Sequence, residues 1–506
     1  MAEPAAGATA PIGSRLRLAG EASLVATLLA VAYAPSLALH FLADDTDWLS
    51  VAMYGPQEIP ELNRYFRPLA MQLFRGAYDL FGLDPLPYRV VILLLHGTCA
   101  FFAGRLAARV LNRPSAGWIA AAVFAMAPAG SEVVRSISSF VYPCVAALVL
   151  GGLLLYARAI EKGRVLPWLG AVACFGLAAP LREHFVVALP IALLLEVAYA
   201  GRGALRRRGP WLRLAPLVVV GVVYLAFRQN LTRLPLVPKE TGYELDPAMG
   251  ARLVVTLQRL VLPTIPLPIS AHALVHRVIG AALLFAALVL ALRSPREDRR
   301  RALVLIAAVL ISLLPFLPVV GDHVRQRFAY LATAFAAGLV AFAISRGAER
   351  ISPRLVLPSV LAILAGLLLE LQGDYAHYEL SSRESKARFE IYPQAAEAVT
   401  YLDGIAVFAG DLEPNLQAAR STFRIVAPGI VRRQVVEIAK AEDLGREIVR
   451  LRAASQATGR LLFFTRYPRE YRLESPMDAP RAVERVYEQA GGGGSILVLL
   501  PRAPEN

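Results

Sequence analysis

Apolar residues run in long blocks through residues 20–371, separated by short polar stretches. A helix rising about 1.5 Å per residue needs about 20 apolar residues to cross hydrocarbon. The blocks predict eleven spans, near 20–42, 86–111, 116–130, 138–158, 165–181, 184–200, 211–228, 272–292, 302–320, 328–344 and 355–371. After about residue 372 the long runs stop. Short apolar segments, Ile405–Phe408, Leu461–Phe464 and Ile496–Leu500, then read as buried strands, with helical spacing over Val435 to Arg452 between them. The pattern therefore predicts an α-helical polytopic membrane protein with about 11 transmembrane helices over 20–371, followed by an α/β domain over 372–506. The Gly491–Gly494 run has no helix after it and reads as a turn before the last strand.

The polar interval 43–85 is the densest in candidate chemistry. Leu69, Leu73, Ala77, Leu80 and Phe81 recur at helical spacing behind Pro68, which predicts an amphipathic helix lying in the membrane interface. Ahead of it stands Asp44-Asp45-Thr46-Asp47, directly after the first apolar block. Two readings are open for these carboxylates. They cap the next helix while Arg64 and Arg67 snorkel to headgroups, or they mark a site, since ionisable groups at membrane ends tend to be functional.

Composition sharpens the class. The chain is 56% hydrophobic with a mean hydropathy of +0.51, which excludes an ordinary soluble protein. The formal charge of +14 would suit nucleic acid, but much of the excess lies in short loops beside spans, where topology accounts for it. Basic clusters at Arg15/Arg17, Arg105/Arg109/Arg113, Arg158/Lys162/Arg164, Arg202/Arg206–Arg208, Arg293–Arg301 and Arg346/Arg350/Arg354 all fall on one side of an eleven-span path. That side is expected to be cytoplasmic, with residues 1–19 inside and both the 43–85 loop and the tail outside. Cys99, Cys144 and Cys174 lie in apolar spans and read as packing residues. The first apolar block is too long for a signal-peptide core and is taken as a span.

Several motifs stand in order along this pattern. They are Phe41-Leu42-Ala43-Asp44-Asp45, Phe66-Arg67-Pro68-Leu69, Tyr88-Arg89 ahead of Leu94-Leu95-His96, and Ala127 through Val134 around Glu132. Arg182-Glu183-His184 leading to Leu189-Pro190 follows, and Gln326-Arg327-Phe328-Ala329-Tyr330-Leu331 comes last. With these, residues 20–371 resemble the GT-C superfamily of polytopic membrane glycosyltransferases, and within it the TMTC-like and protein O-mannosyltransferase-like branch. The tail lies outside the resemblance, and Gln326 stands where the family has Glu.

The resemblance implies transfer of a sugar from a polyprenyl-phosphate donor to an acceptor on the outer face of the membrane. Asp44 matches the family's first-loop acidic position and is the expected base. Asp45 would orient the acceptor or hold a cation, and Glu132 would assist. Arg327, with Arg325 and His323 beside it, is the first choice for the donor phosphate; Arg67 and Arg182 are second choices. Headgroup contact is the other reading for these arginines. No His/Cys zinc site is expected, since His96 has no second histidine at ligand spacing and reads as a packing residue. A Mg²⁺ or Mn²⁺ ion on Asp44 and Asp45 stays open.

The expected partners are the lipid-linked donor, membrane lipid and a protein, glycan or glycolipid acceptor, with no nucleic acid. A transporter would carry charge near mid-membrane, whereas here the span middles are nearly uncharged. A polysaccharide polymerase or ligase using a lipid-linked donor stays open, as does a noncatalytic scaffold, which the Gln326 departure keeps in view. The Ala- and Arg-rich composition suggests a bacterial inner membrane.

Overall fold

The computed structural model describes residues 12–55, 67–201, 203, 206–232, 285–317, 326–350 and 352–401 with isolated positions between 249 and 282, and in the tail 405–409, 416–428, 435–438, 460–464, 469–472 and 496–499. His323, Arg325, Arg64 and Gly491–Gly494 lie outside the described residues.

Helix α1 (Ile12–Tyr33) gives way at Pro35 to a 3-10 turn, Ala34–Ala38. Proline lacks the N–H that a continuing helix would need. Helix α2 (Ala43–Tyr54) follows, so the acidic cluster occupies a helix's first turns rather than a loop. Helix α3 (Pro68–Phe81) starts on its proline and stops at Gly82, whose φ of 56° favours glycine. It is amphipathic, but its inward face is centred on Ala70 and Phe74, while Leu73 and Leu80 point outward. Outward leucines on an interfacial helix suit lipid rather than water.

Next come α4 (Pro85–Leu111), α5 (Pro114–Ala125) and α6 (Pro128–Arg135). Asn112, at φ 53°, ends α4 in the left-handed conformation. Helices α4 and α5 pack so closely that a Cβ on Gly104 would lie 2.5 Å from the Gly117 carbonyl oxygen. Helices α5 and α6 meet at a 53° bend beside Pro128. His96 covers the break: its Nε2 faces the Ala125 carbonyl at 3.1 Å while its Nδ1 faces the Tyr330 hydroxyl at 2.6 Å. His96 is thus a hydrogen-bonded packing residue.

The path continues through α7 (Val141–Lys162), α8 (Val165–Ala178), a 3-10 turn at Glu183–Val187, α9 (Ala188–Ala200) and α10 (Arg208–Thr232). Helix α11 (Arg296–Leu313) leads towards the 3-10 turn Gln326–Ala329, followed by α12 (Tyr330–Arg350) and α13 (Val356–Tyr401).

Six helices among the described residues are long and apolar enough to cross a membrane, or seven if the bent α5–α6 pair counts as one span. Other predicted spans are shorter: α8 has 14 residues and α9 has 13, and α11 opens on the charged run Arg296–Arg301. Val218, Val219, Val222 and Phe227 on α10, and Leu357, Leu361 and Leu369 on α13, are exposed. So many outward apolar side chains on two helices require a hydrocarbon solvent. The protein is an integral membrane protein.

Charged groups collect at two ends. At one, Arg105 pairs with Glu21, Arg109 with Glu161, and Arg113 with both Asp298 and Glu349, while Arg346 also reaches Asp298. The other end holds Asp44, Arg67, Glu132, Arg182, Glu183 and Arg327. Two deeply buried arginines frame that second end. Arg89 donates to the carbonyls of Leu39, His40 and Arg135. Arg135 donates to Ser36 and Ser131 and, at 2.6 Å, to the Leu371 carbonyl on α13. These bonds tie α4, α6 and α13 to the turn after α1, satisfying backbone oxygens that the turn leaves unpaired.

Helix α13 runs 46 residues and passes position 372 unbroken, so the change in composition there is not the end of a helix. The stretch leaving the membrane keeps helical pairs such as Glu379–Arg383 and Lys386–Glu390. Beyond it lie β1 (Ile405–Ala409), α14 (Leu416–Val426), β2 (Val435–Ile438), β3 (Arg460–Phe464), β4 (Arg469–Arg472) and β5 (Ile496–Leu499). The sheet order is β2-β1-β5-β3-β4, parallel only between β1 and β2. Val435–Ile438 is therefore a strand rather than the start of the helix read from spacing. Two β-branched valines head it, and the Ala406–Ala409 backbone pairs with it.

Candidate active site at the acidic end

Arg327 is the centre of the site. Its Nη2 lies 3.3 Å from Asp44 Oδ2, its Nε 3.3 Å from Glu132 Oε1, and its Nη1 donates to Ser139 Oγ at 3.1 Å. Its backbone N–H donates to Glu132 Oε2 at 2.9 Å. Glu132 thus fixes both the backbone and the side chain of Arg327. Asp44 is the open member, with a side chain 40% exposed against 14% for Arg327 and 13% for Glu132.

A second cationic group adjoins it. Arg67 grips Glu183 with two bonds, Nη2–Oε1 at 2.6 Å and Nε–Oε2 at 3.1 Å. Burial raises the Glu183 carboxyl, but Arg67 and Arg182 override it and hold the group well below the ordinary range. Arg182 stacks over the Tyr142 ring, 3.9 Å from its centroid, and donates from Nε to His184 Nδ1 at 2.7 Å. The Tyr142 ring centroid also lies 5.9 Å from the Arg327 guanidinium. Of the predicted residues, the structure brings together Asp44, Glu132, Arg327 and Arg182. Arg67 joins through Glu183, and a bidentate carboxylate already occupies its fork. The additions that sequence reasoning missed are Ser139 and Tyr142, while His184 stood in a quoted motif without a role. Tyr142 opens an apolar span and reads like any interfacial aromatic, so only the fold reveals its neighbours.

Asp45 takes a different role from the one expected. Successive helix residues are turned by about 100°, so adjacent side chains cannot serve one face. Asp45 points inward, is fully buried, and accepts the Leu42 N–H at 2.8 Å and the Ser138 N–H at 2.6 Å. Burial raises its carboxyl, against Arg89 and these backbone donors. It caps α2 and fastens it to the corner after α6. Asp44 and Asp45 therefore do not converge on a Mg²⁺ or Mn²⁺ position, and the Arg327 guanidinium bridges Asp44 and Glu132. No group of three or more potential metal ligands occurs among the described residues.

Asp47 lies one turn beyond Asp44 and accepts from Gln417 Nε2 and Ser421 Oγ, each at 2.7 Å. Thr46 and Tyr54 also bond backbone oxygens of α14, at Ala418 and Arg424. The tail helix is thereby seated on the helix that carries Asp44. Burial pushes the Asp47 carboxyl up to about 7, Asp44 adds to this, and Ser421, Arg420 and Gln417 oppose it. A carboxylate of ordinary pKa about 4 when undocked and raised when docked binds protons more tightly in the docked state. Docking should be strongest below that ordinary value and weaken as pH rises through 7. Amide exchange over residues 416–426 should show more protection at about pH 5.5 than at about pH 8, after correction for intrinsic rates. Asp47→Asn should erase the difference; equal protection in the unaltered protein would refute the latch.

Residues 67–226, from the start of α3 into α10, match the family model of dolichyl-phosphate-mannose-protein mannosyltransferase. The crystal structure of ArnT from Cupriavidus metallidurans, bound to undecaprenyl phosphate, superposes over 95% of this chain and 98% of its own, with 14% identity and a TM-score of 0.56. The chain has the GT-C fold. The apo oligosaccharyltransferase of Archaeoglobus fulgidus aligns over 91% of this chain and 75% of its own, at 13% identity and a TM-score of 0.46. The archaeal oligosaccharyltransferase AglB from Archaeoglobus fulgidus, in complex with an inhibitory peptide and a dolichol-phosphate, aligns over 90% and 74%, at 11% identity and 0.44. No curated protein matches the chain by sequence. The segment that matches the family model carries Glu132, Tyr142, Arg182 and Glu183 of the GT-C fold's charged end; Asp44 and Arg327 come from outside it.

Proposed function

We propose that this protein transfers a sugar from a polyprenyl-phosphate donor to an acceptor hydroxyl or amide at the acidic end of its GT-C fold, on the outer face of a bacterial inner membrane. The observation that carries this reading is Arg327, a guanidinium held by Asp44 and Glu132 with Arg182 and the Tyr142 ring beside it. Two arginines at a membrane end suit a lipid-anchored phosphate, and an adjacent, more exposed carboxylate suits a base. An apolar groove of about 230 Å³ lined by Phe175, Phe185, Leu189, Leu217 and Leu225 begins beside the Arg182–His184 turn and offers the donor's tail a hydrocarbon wall. As the bond from the anomeric carbon to the phosphate oxygen breaks, its electron pair leaves with the phosphate. The acceptor atom bonds to that carbon, and its proton passes to Asp44.

Orientation follows the charge. The arginine-rich end with Arg105, Arg109, Arg113 and Arg346 belongs on the cytoplasmic side, which puts Asp44, Arg327 and the tail outside. The tail, seated on α2 by α14, is placed to select the acceptor. Protein in nanodiscs should release polyprenyl phosphate from at least one of a panel of polyprenyl-phosphate monosaccharides, slowly to water and faster with cell-envelope acceptors, and should ignore nucleotide sugars. Turnover of nucleotide sugars alone would contradict the reading. A polymerase or ligase would instead lengthen a lipid-linked glycan in the same assay.

A further inference from the structure

Between α7, the Glu183–Val187 turn and the start of α12 lies a small cavity of about 10 Å³, lined by Tyr142, Arg182, His184, Arg327, Phe328 and Tyr330 among others. That volume holds about one water-sized atom. Two of the lining residues carry a buried, unpartnered polar atom, the Tyr142 hydroxyl and His184 Nε2, on side chains that are themselves buried. Their chemistry can be assigned. The Arg182 Nε–H can only donate, so His184 Nδ1 accepts, and the ring proton sits on Nε2. Stacking of His184 on Phe316 at 4.0 Å, and of Phe316 on Phe328 at 4.9 Å, holds the ring in place.

The cavity thus has two neutral donors without acceptors, flanked by two guanidiniums. Its lining side chains include no carboxylate and no amide oxygen. A water there would find several donors but, as side-chain acceptors for its own hydrogens, only the tyrosine hydroxyl oxygens. An oxygen that only accepts, and carries negative charge, satisfies every group.

From this we infer that the cavity is an oxyanion subsite, receiving one non-bridging oxygen of a phosphate with the Tyr142 hydroxyl and His184 Nε2–H as its neutral donors. The inference rests on the proposed function for the source of that phosphate, the lipid-linked donor. Charge builds on the phosphate oxygens as the sugar departs, so fixed, dry donors aimed there stabilise the transition state. Arg182 has two effects: it supplies charge, and through Nδ1 it sets the tautomer that makes His184 a donor.

The test measures binding of undecaprenyl phosphate, undecaprenol and inorganic phosphate to the full chain in nanodiscs, with thermal unfolding as a check on folding. Tyr142→Phe deletes one donor. His184→Asn keeps an acceptor for Arg182 near the Nδ1 position and deletes the other donor, whereas His184→Gln places an amide N–H near Nε2. Tyr142→Phe and His184→Asn should each weaken undecaprenyl phosphate by about 10–100-fold, with undecaprenol unaffected and His184→Gln restoring most of the loss. Unchanged affinity in both deletions, while Arg327→Ala abolishes binding, would overturn the subsite and leave the proposed function standing. Inorganic phosphate bound in a Tyr142-dependent way, with no preference for undecaprenyl phosphate over undecaprenol, would support the subsite and remove the lipid-linked donor from the proposed function.

Discussion

Arg327→Ala is expected to abolish measurable transfer and to lower affinity for undecaprenyl phosphate by at least about 100-fold, the scale of losing a charge-assisted, two-donor contact. The change removes the cation that Asp44 and Glu132 share, so two carboxylates are left facing one another. Part of the loss will therefore be structural, because Glu132 is mostly buried and unpaired buried charge destabilises. Adding Glu132→Gln separates the two effects. The double variant should regain thermal stability without regaining donor binding. Arg327→Lys should recover binding only in part, since an ammonium cannot reproduce the fork that faces Asp44, Glu132 and Ser139 together. Full binding by Arg327→Ala would place the phosphate elsewhere.

Asp44→Asn is expected to slow transfer by about 10²–10⁴-fold while leaving donor affinity near that of the unaltered protein, the signature of a lost general base. Asparagine keeps the shape of the side chain and a carbonyl oxygen for Arg327, but it cannot take a proton. In the resting site Arg327 lies 3.3 Å from Asp44 and is engaged with it. A donor phosphate drawing on the same guanidinium would compete with that pairing and leave Asp44 free to face the acceptor. Equal transfer by Asp44→Asn and the unaltered protein would remove Asp44 from the chemistry. Asp45→Asn should act differently, loosening the α2 cap and lowering stability rather than changing the rate-determining proton transfer.

The membrane character of the chain was legible because runs of about 20 apolar residues have one physical explanation. The grouping of Asp44, Glu132 and Arg327, which the structure brings within ion-pair distance, could be suspected only through motif resemblance, each lying near the end of an apolar run. Other features depended on the third dimension. Asp45 looks like a partner of Asp44 in a linear string, yet one helical step turns it into the core, where backbone N–H groups take its oxygens. Arg67 and Glu183 sit more than a hundred residues apart and neutralise each other, a pairing that no local pattern shows. Tyr142 and His184 look unremarkable by type, and they come to line one cavity only when α7, the turn before α9 and the start of α12 meet. The composition change at 372 marks the exit from apolar surroundings, not a break, because helix propensity and charged pairs continue beyond it.

The central claim is that a lipid-linked phosphate is processed at the Asp44–Arg327 end of the fold. It is tested most directly by determining the structure of the full chain in nanodiscs with undecaprenyl phosphate, the product common to every undecaprenyl-phosphate sugar donor. The account predicts phosphate density within hydrogen-bonding distance of Arg327, with one oxygen against Tyr142 and His184 and the tail running along the Phe175–Leu217 groove. Phosphate density at the opposite end, among Arg113 and Arg346, with the Arg327 cluster unchanged, would contradict it.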